Sequence, residues 1–304
     1  SASIACASGA PAPRATHWKG SALSQPEMRL APAPDVVEAT TRARALELEG
    51  AFDEAARLLE PLAADPSCDP LALYRLAAIR ARQDRLEDAR DLLERARRIS
   101  PRDAKIVTNL GVVYDMLGRS DEAIDAFRQV LRIVPEEPVA LLNLGALYGE
   151  LRRYEEAVRA LTRCREHAPG FDVSFNLALV RSQQGEVQLA EALFAEAVRH
   201  DRKRAIGHYY LGNTQLKLGR GEAAVKSLRT ALGLEPELVQ ARFVLGKALN
   251  ALRRYGEAAQ ELEAVARALP DDPKVHYQLG ISCDGMSQKA RARECYRRSR
   301  TLSG

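Results

Sequence analysis

The chain has 304 residues, of which 46% are hydrophobic, only 5% aromatic and 28% charged; this mixture, heavy in Ala, Leu, Arg and Glu, is a helical one. Its 45 basic and 41 acidic side chains leave a formal net charge of +4, too little to draw a phosphate backbone from a distance, so nucleic acid is not the expected partner. Five scattered cysteines, Cys6, Cys68, Cys164, Cys283 and Cys295, form no CxxC and no Cys/His pair at ligand spacing. They read as reduced thiols, with no metal site, and no apolar stretch is long enough to span a bilayer.

Residues 1–35 are rich in Ala, Pro, Ser and Gly, the composition of a disordered leader. Within it, SIACASGAP around Cys6 resembles the junction of a bacterial lipoprotein, in which a small residue precedes the lipid-carrying cysteine. That resemblance implies a lipid tether at Cys6, although Ser3 stands where leucine is usual. The other reading is an ordinary chain end with an incidental thiol.

From residue 36 onward the sequence repeats. Ala43, Ala77, Gly111, Gly145, Ala178, Gly212, Gly246 and Gly280 follow one another at a spacing of about 34 residues. Twelve positions after each of these small sites stands Ala55, Ala89, Ala123, Ala157, Ala190, Ala224, Ala258 or Ala292. Units therefore begin near residues 36, 70, 104, 138, 171, 205, 239 and 273. Each reads as a first helix with apolar residues at helical spacing (Val107, Leu110, Tyr114, Leu117), a short turn, and a second helix. Pro101, Pro135, Pro169, Pro236 and Pro270 close five of the second helices, since proline cannot continue the ladder. The two small positions mark where helix axes approach closely.

This pattern resembles the tetratricopeptide repeat, with its small, aromatic and proline positions at a 34-residue period. The resemblance covers residues 36–304 and implies an all-α fold, an α-solenoid of eight stacked helix-turn-helix units in a right-handed superhelix. The family's early aromatic is replaced by Val107, Leu141, Ser174, His208 and Arg242, which predicts looser local packing.

In solenoids of this family the first helix of each unit lines a concave groove. Helical arithmetic sets the residues two and three before the small site roughly 110° to 170° from the core centre, so Asn109, Asn143 and Asn176 are expected to stand clear of the core. One position earlier, Tyr74, Thr108, Leu142, Phe175, Tyr209, Phe243 and Tyr277 are expected to form a largely aromatic wall. Asn213, Lys247, Lys105, Lys274 and Gln278 are expected to give its C-terminal half a mildly cationic rim. A carboxamide can pair with any peptide unit through its donor and acceptor, and the aromatics would supply most of the affinity. The same residues are also habitual in the family, so the row reads either as a dedicated site or as family habit. The three asparagines resemble the ladder of the O-linked sugar transferase repeats, but the ladder does not continue to Tyr210, Val244 and Gln278. The lysine of the family's carboxylate clamp is missing, because Phe175 or Tyr209 occupies its place.

No catalytic constellation or cofactor motif is visible. His17, His167, His200, His208 and His276 lack partners at catalytic spacing, and His208 and His276 fall on the core-facing arc. The expected function is a non-enzymatic scaffold that captures an extended peptide or a partner helix in its groove and brings assembly components together. Two alternatives stay open: the repeat portion of a larger enzyme such as an O-linked glycosyltransferase, and a lipid-tethered assembly factor of a bacterial envelope. The compartment is correspondingly open between cytoplasm and, behind a signal peptide, periplasm or outer membrane. Oligomeric state is not legible.

Overall fold

The computed structural model describes residues 34–65 and 68–303, so residues 1–33 of the expected leader, with Cys6, lie outside the described residues, while Pro34 and Asp35 open the first helix instead of ending the leader. Those described are all-α, and they fall into two compact units that divide between Ala168 and Pro169. In the N-terminal unit α1 (Pro34–Leu48) pairs with α2 (Phe52–Ala64), α3 (Pro70–Arg82) with α4 (Leu86–Ile99), α5 (Ala104–Met116) with α6 (Ser120–Ile133), and α7 (Pro138–Glu150) with α8 (Tyr154–His167). In the C-terminal unit the pairs are α9 (Phe171–Gln183) with α10 (Val187–His200), α11 (Ala205–Lys217) with α12 (Gly221–Leu234), α13 (Val239–Ala251) with α14 (Tyr255–Ala268), and α15 (Pro273–Gly285) with α16 (Lys289–Ser303). Within each unit the second helix of one pair also packs on the first helix of the next. Each unit is thus a stack of helix-turn-helix repeats, an α-solenoid segment.

Local chemistry explains the helix starts. Asp69, Asp103 and Asp272 accept the backbone N–H of Leu71, Lys105 and Lys274 at 2.8–2.9 Å, and Glu137 accepts that of Ala140 at 2.6 Å. These caps satisfy donors that the first turn leaves open. Pro70, Pro138 and Pro273 stand at the first helical position, where a missing N–H costs nothing.

Every turn between paired helices has one residue in the left-handed region. It is glycine at Gly50, Gly118, Gly185 and Gly219 but Asp84, Arg152, Arg253 and Ser287 elsewhere, with φ between 57° and 84°. The turn reverses the chain within three or four residues. It is the same αL cap that commonly ends helices.

The first helices are enclosed far more widely than the second ones. In α9, Phe171, Val173, Ser174, Phe175, Asn176, Leu177, Ala178 and Val180 are all buried, whereas α14 buries only the stripe Ala258, Ala259, Leu262 and Val265. A first helix meets its own partner, the preceding second helix and, for α1 with α3, α5 with α7, α11 with α13 and α13 with α15, the next first helix. A helix covered on three sides needs apolar residues over most of its circumference.

The substitutions for the early aromatic do not loosen the packing as expected. Val107, Leu141 and Ser174 are fully buried, and the Ser174 hydroxyl donates to Glu196 at 2.8 Å. His208, Arg242 and His276 each reach six residues back, to the carbonyls of Arg202, Pro236 and Pro270 at 2.7–3.0 Å. A polar side chain there ties the first helix to the linker before it. His276 is buried, as its place on the core arc implies, while His208 is half-buried.

Candidate peptide-binding surface

The residues singled out from the sequence divide into two sets once placed. In the N-terminal unit Asn109 is half-buried and lies beside Tyr74, whose phenol it hydrogen-bonds. Burial raises the Tyr74 pKa, and the Asn109 bond partly offsets that rise. Arg75, at the same register as Asn109 one repeat earlier, has its guanidinium 5.9 Å from the Tyr74 ring centre. Glu47 is buried beside Arg82 at 3.7 Å. Desolvation raises its pKa against the attraction of Arg82, Arg75 and Arg44.

Asn143 contradicts the expectation that the asparagines stand clear of the core. It is 6% exposed, and Asn176 in the C-terminal unit only 1%. An angular projection holds for a helix with one buried face, whereas first helices here pack against a partner and against neighbouring helices. The two asparagines differ in their bonds: Asn176 Nδ2 donates to the Asp172 carbonyl at 2.9 Å, whereas Asn143 Nδ2 has no hydrogen-bond partner. Arg75 Nε and Glu47 Oε1 are also buried without a partner. Unpaired buried donors and acceptors are costly and few in folded proteins. Here three such atoms lie on the first helices of the N-terminal unit.

The aromatic wall is corrected in the same way. Phe175, Tyr209 and Phe243 are 0%, 5% and 7% exposed, whereas Tyr277 is 53% exposed. Phe175 stacks on Phe171 (5.2 Å between ring centres) and meets Phe194 and Tyr210 edge-on at 5.4 and 5.1 Å, and Tyr209 abuts Tyr210 at 5.0 Å. These five rings are one core cluster. Burial and the neighbouring Tyr210 push the Tyr209 phenol up to about 12. The rim is closer to expectation: Asn213, Lys247 and Gln278 are half-buried and Lys274 is exposed, with Lys247 Nζ 5.9 Å from the Phe243 ring centre.

A polar junction went unnoticed in the sequence. Asn250 Nδ2 donates to the Gln278 carbonyl at 2.9 Å, and the Ser282 hydroxyl donates to Asn250 Oδ1 at 2.8 Å. This joins α13 to α15 through buried groups. Its only sequence signal is two polar residues inside apolar helices, 32 positions apart. Arg75 carries no sequence signal, because arginine is common throughout the chain.

Among the described residues no three His, Cys, Asp or Glu side chains gather as a metal site, and no helix is long and apolar enough to cross a membrane.

Comparison with known proteins agrees with this architecture. Three family models, each described as tetratricopeptide repeat, match residues 69–136, 116–175 and 209–273. The TPR repeat-containing protein YpiA of Bacillus subtilis is 25% identical over 138 residues, which is 45% of this chain and 32% of that protein, so the chain spans about a third of this relative's length. A tetratricopeptide repeat protein from Parabacteroides merdae superposes with a TM-score of 0.61 at 17% identity, over 82% of this chain and 99% of that one. Pseudomonas aeruginosa pilF gives 0.63 at 20% identity, over 68% and 94%. At such identities the likeness speaks to the fold. Helix pairs in series, close contacts at the small sites and matching family models converge, and the chain belongs to the tetratricopeptide repeat family.

Proposed function

We propose that the chain is a protein-interaction scaffold that takes up an extended peptide along the first helices of its N-terminal unit, with Asn143, Asn109 and Arg75 as donors to the peptide's carbonyl oxygens. The observation that supports this reading is the unpaired Nδ2 of Asn143, with the unpaired Nε of Arg75 at the same register two repeats earlier. A buried donor without a partner costs about 1–3 kcal/mol. A peptide carbonyl that accepts from this donor recovers that cost on binding. In the C-terminal unit Asn213, Lys247, Lys274, Gln278 and Tyr277 offer a second, cationic row. There Phe175, Tyr209 and Phe243 contribute by stiffening the wall from beneath.

Micromolar affinity requires about 8 kcal/mol, more than a few hydrogen bonds netting about 0.5–1.5 kcal/mol each can supply. The apolar surface of the first helices, including Val112, Val139 and Leu142, must carry the remainder. The test uses peptides selected by phage display against the full chain and measured by fluorescence anisotropy. Asn109→Ala with Asn143→Ala should weaken binding by about tenfold or more with the far-ultraviolet circular dichroism unchanged. Undiminished binding by the double variant would remove the N-terminal row from the site.

A further inference from the structure

The positions three and fifteen residues beyond the small site face each other across a helix pair. In the sixth repeat they are Gln215 and Ser227, and the Ser227 hydroxyl donates to Gln215 Oε1 at 2.8 Å. In the eighth the same two positions hold Cys283 on α15 and Cys295 on α16, both buried, with their thiols hydrogen-bonded to each other. The other seven repeats put no sulfur at either position; Tyr114 with Ala126, Tyr148 with Ala160 and Leu249 with Glu261 are among the combinations used. Packing alone therefore does not call for a thiol here, still less for two.

The two helices also approach as a covalent bond between them requires. A disulfide needs Cβ atoms about 3.5–4.5 Å apart, which paired helices reach only where a small residue lets their axes come together. Gly280 is that residue: a Cβ on it would lie 2.5 Å from Cε1 of Tyr296, the neighbour of Cys295 in sequence. The remaining described cysteines lie against other groups, Cys68 at 3.8 Å from the Arg95 guanidinium and Cys164 at 3.3 Å from the Pro138 carbonyl. All four are free thiols in the structure. The contact between Cys283 and Cys295 lies inside one helix pair, so it is the same whatever packs on the outer side of α16.

We propose that Cys283 and Cys295 are a thiol/disulfide couple, closed by exchange with an incoming disulfide, whose oxidised form staples α15 to α16. The Cys295 thiolate attacks one sulfur of the incoming disulfide RSSR, forming a mixed disulfide and releasing the first RS group. The Cys283 thiolate then attacks Cys295 Sγ, closes the bond between the two Sγ atoms and expels the second RS group. Two electrons pass from the protein sulfurs to RSSR, and the two thiol protons leave with the RS groups as two molecules of RSH. Burial raises the Cys295 pKa, with Arg291 acting against it, so exchange is slow at neutral pH and the couple suits a lasting staple better than a rapid signal. Ser282, the residue before Cys283, already ties α15 to α13 through Asn250. Oxidation therefore fixes from both sides the helix that holds Lys274, Tyr277 and Gln278. The couple is separate from the peptide row of the N-terminal unit and does not depend on that reading.

The test incubates the folded full chain with oxidised glutathione, quenches with acid, alkylates under denaturing conditions and maps the digest by mass spectrometry. The expected product is a peptide pair linked through Cys283 and Cys295, with Cys68 and Cys164 alkylated. Hydrogen exchange should then show the α15 and α16 amides protected at least about tenfold more in the oxidised chain than in the reduced one, with α3 and α4 unchanged. Cys283→Ala should stop at a glutathione adduct on Cys295. The proposal is overturned if both thiols of the unaltered chain remain alkylatable, if glutathione stays on Cys295 without closure, or if the link joins either residue to another cysteine. A closed bond that leaves the protection of α15 and α16 unchanged would equally remove the staple.

Discussion

Gly145 and Leu161 approach so closely that the Cβ glycine lacks would lie 2.5 Å from Leu161 Cγ. The same sixteen-residue relationship joins Gly111 to Phe127, Gly212 to Leu228, Gly246 to Leu262 and Gly280 to Tyr296, each at 2.5–2.7 Å. A methyl group at any of these five glycines would force the facing side chain to shift, whereas Ala43, Ala77 and Ala178 hold the same register where the spacing admits one. Gly145→Ala should cost about 1–3 kcal/mol and lower the melting temperature by several degrees, and Ala157→Leu, at the second small site of the same repeat, should do likewise. Gly256→Ala, where nothing lies within 4 Å of the new methyl group, should leave the melting temperature unchanged or raise it.

The turns supply a prediction of opposite sign. Arg152 and Arg253 adopt φ of 57° and 59°, a conformation that Gly118 and Gly219 fill in equivalent turns. A Cβ in the left-handed region costs about 1 kcal/mol. Arg152→Gly or Arg253→Gly should therefore raise the melting temperature slightly, as read by thermal circular dichroism, although glycine normally weakens a chain through its unfolded state.

Cys164 links the fold to pH. Its Sγ lies 3.3 Å from the Pro138 carbonyl in a buried setting, and desolvation, with Glu137 nearby, pushes the thiol up to about 11. The folded chain thus keeps a proton that the unfolded chain releases near pH 9. Its contribution to stability is complete below pH 9 and falls as pH rises toward 11. Stability measured by urea titration should decline over that interval, and Cys164→Ala should flatten the decline. Ser299 occupies the equivalent register and donates to the Pro273 carbonyl at 2.8 Å, so Cys164→Ser should fold with little loss.

The period, the helix pairs and the close contacts were legible in the sequence because glycine and alanine are tolerated at a helix crossing where larger residues are not. Alanine at twelve positions beyond each small site reports that constraint directly. The exposure of the candidate site was not legible. A single-helix projection places Phe175 and Asn143 opposite the core, yet both are buried, Phe175 among Phe171, Phe194 and Tyr210. Tyr277 reads like Tyr209 in sequence, yet it is 53% exposed where Tyr209 is 5%. The bond between Asn250 and Ser282 depends on how α13 and α15 meet, which no periodicity encodes.

Under the proposed function, the buried donor of Asn143 serves a ligand and not the fold. Asn250 is the internal control, because its amide is fully engaged with Gln278 and Ser282. Asn250→Ala should lower the melting temperature by several degrees, since it removes the hydrogen bonds that tie α13 to α15. The decisive measurement is the melting temperature of Asn143→Ala alongside its affinity for the selected peptides. An unchanged or higher melting temperature with weakened binding is expected; a fall like that of Asn250→Ala with peptide affinity intact would remove Asn143 from the proposed site.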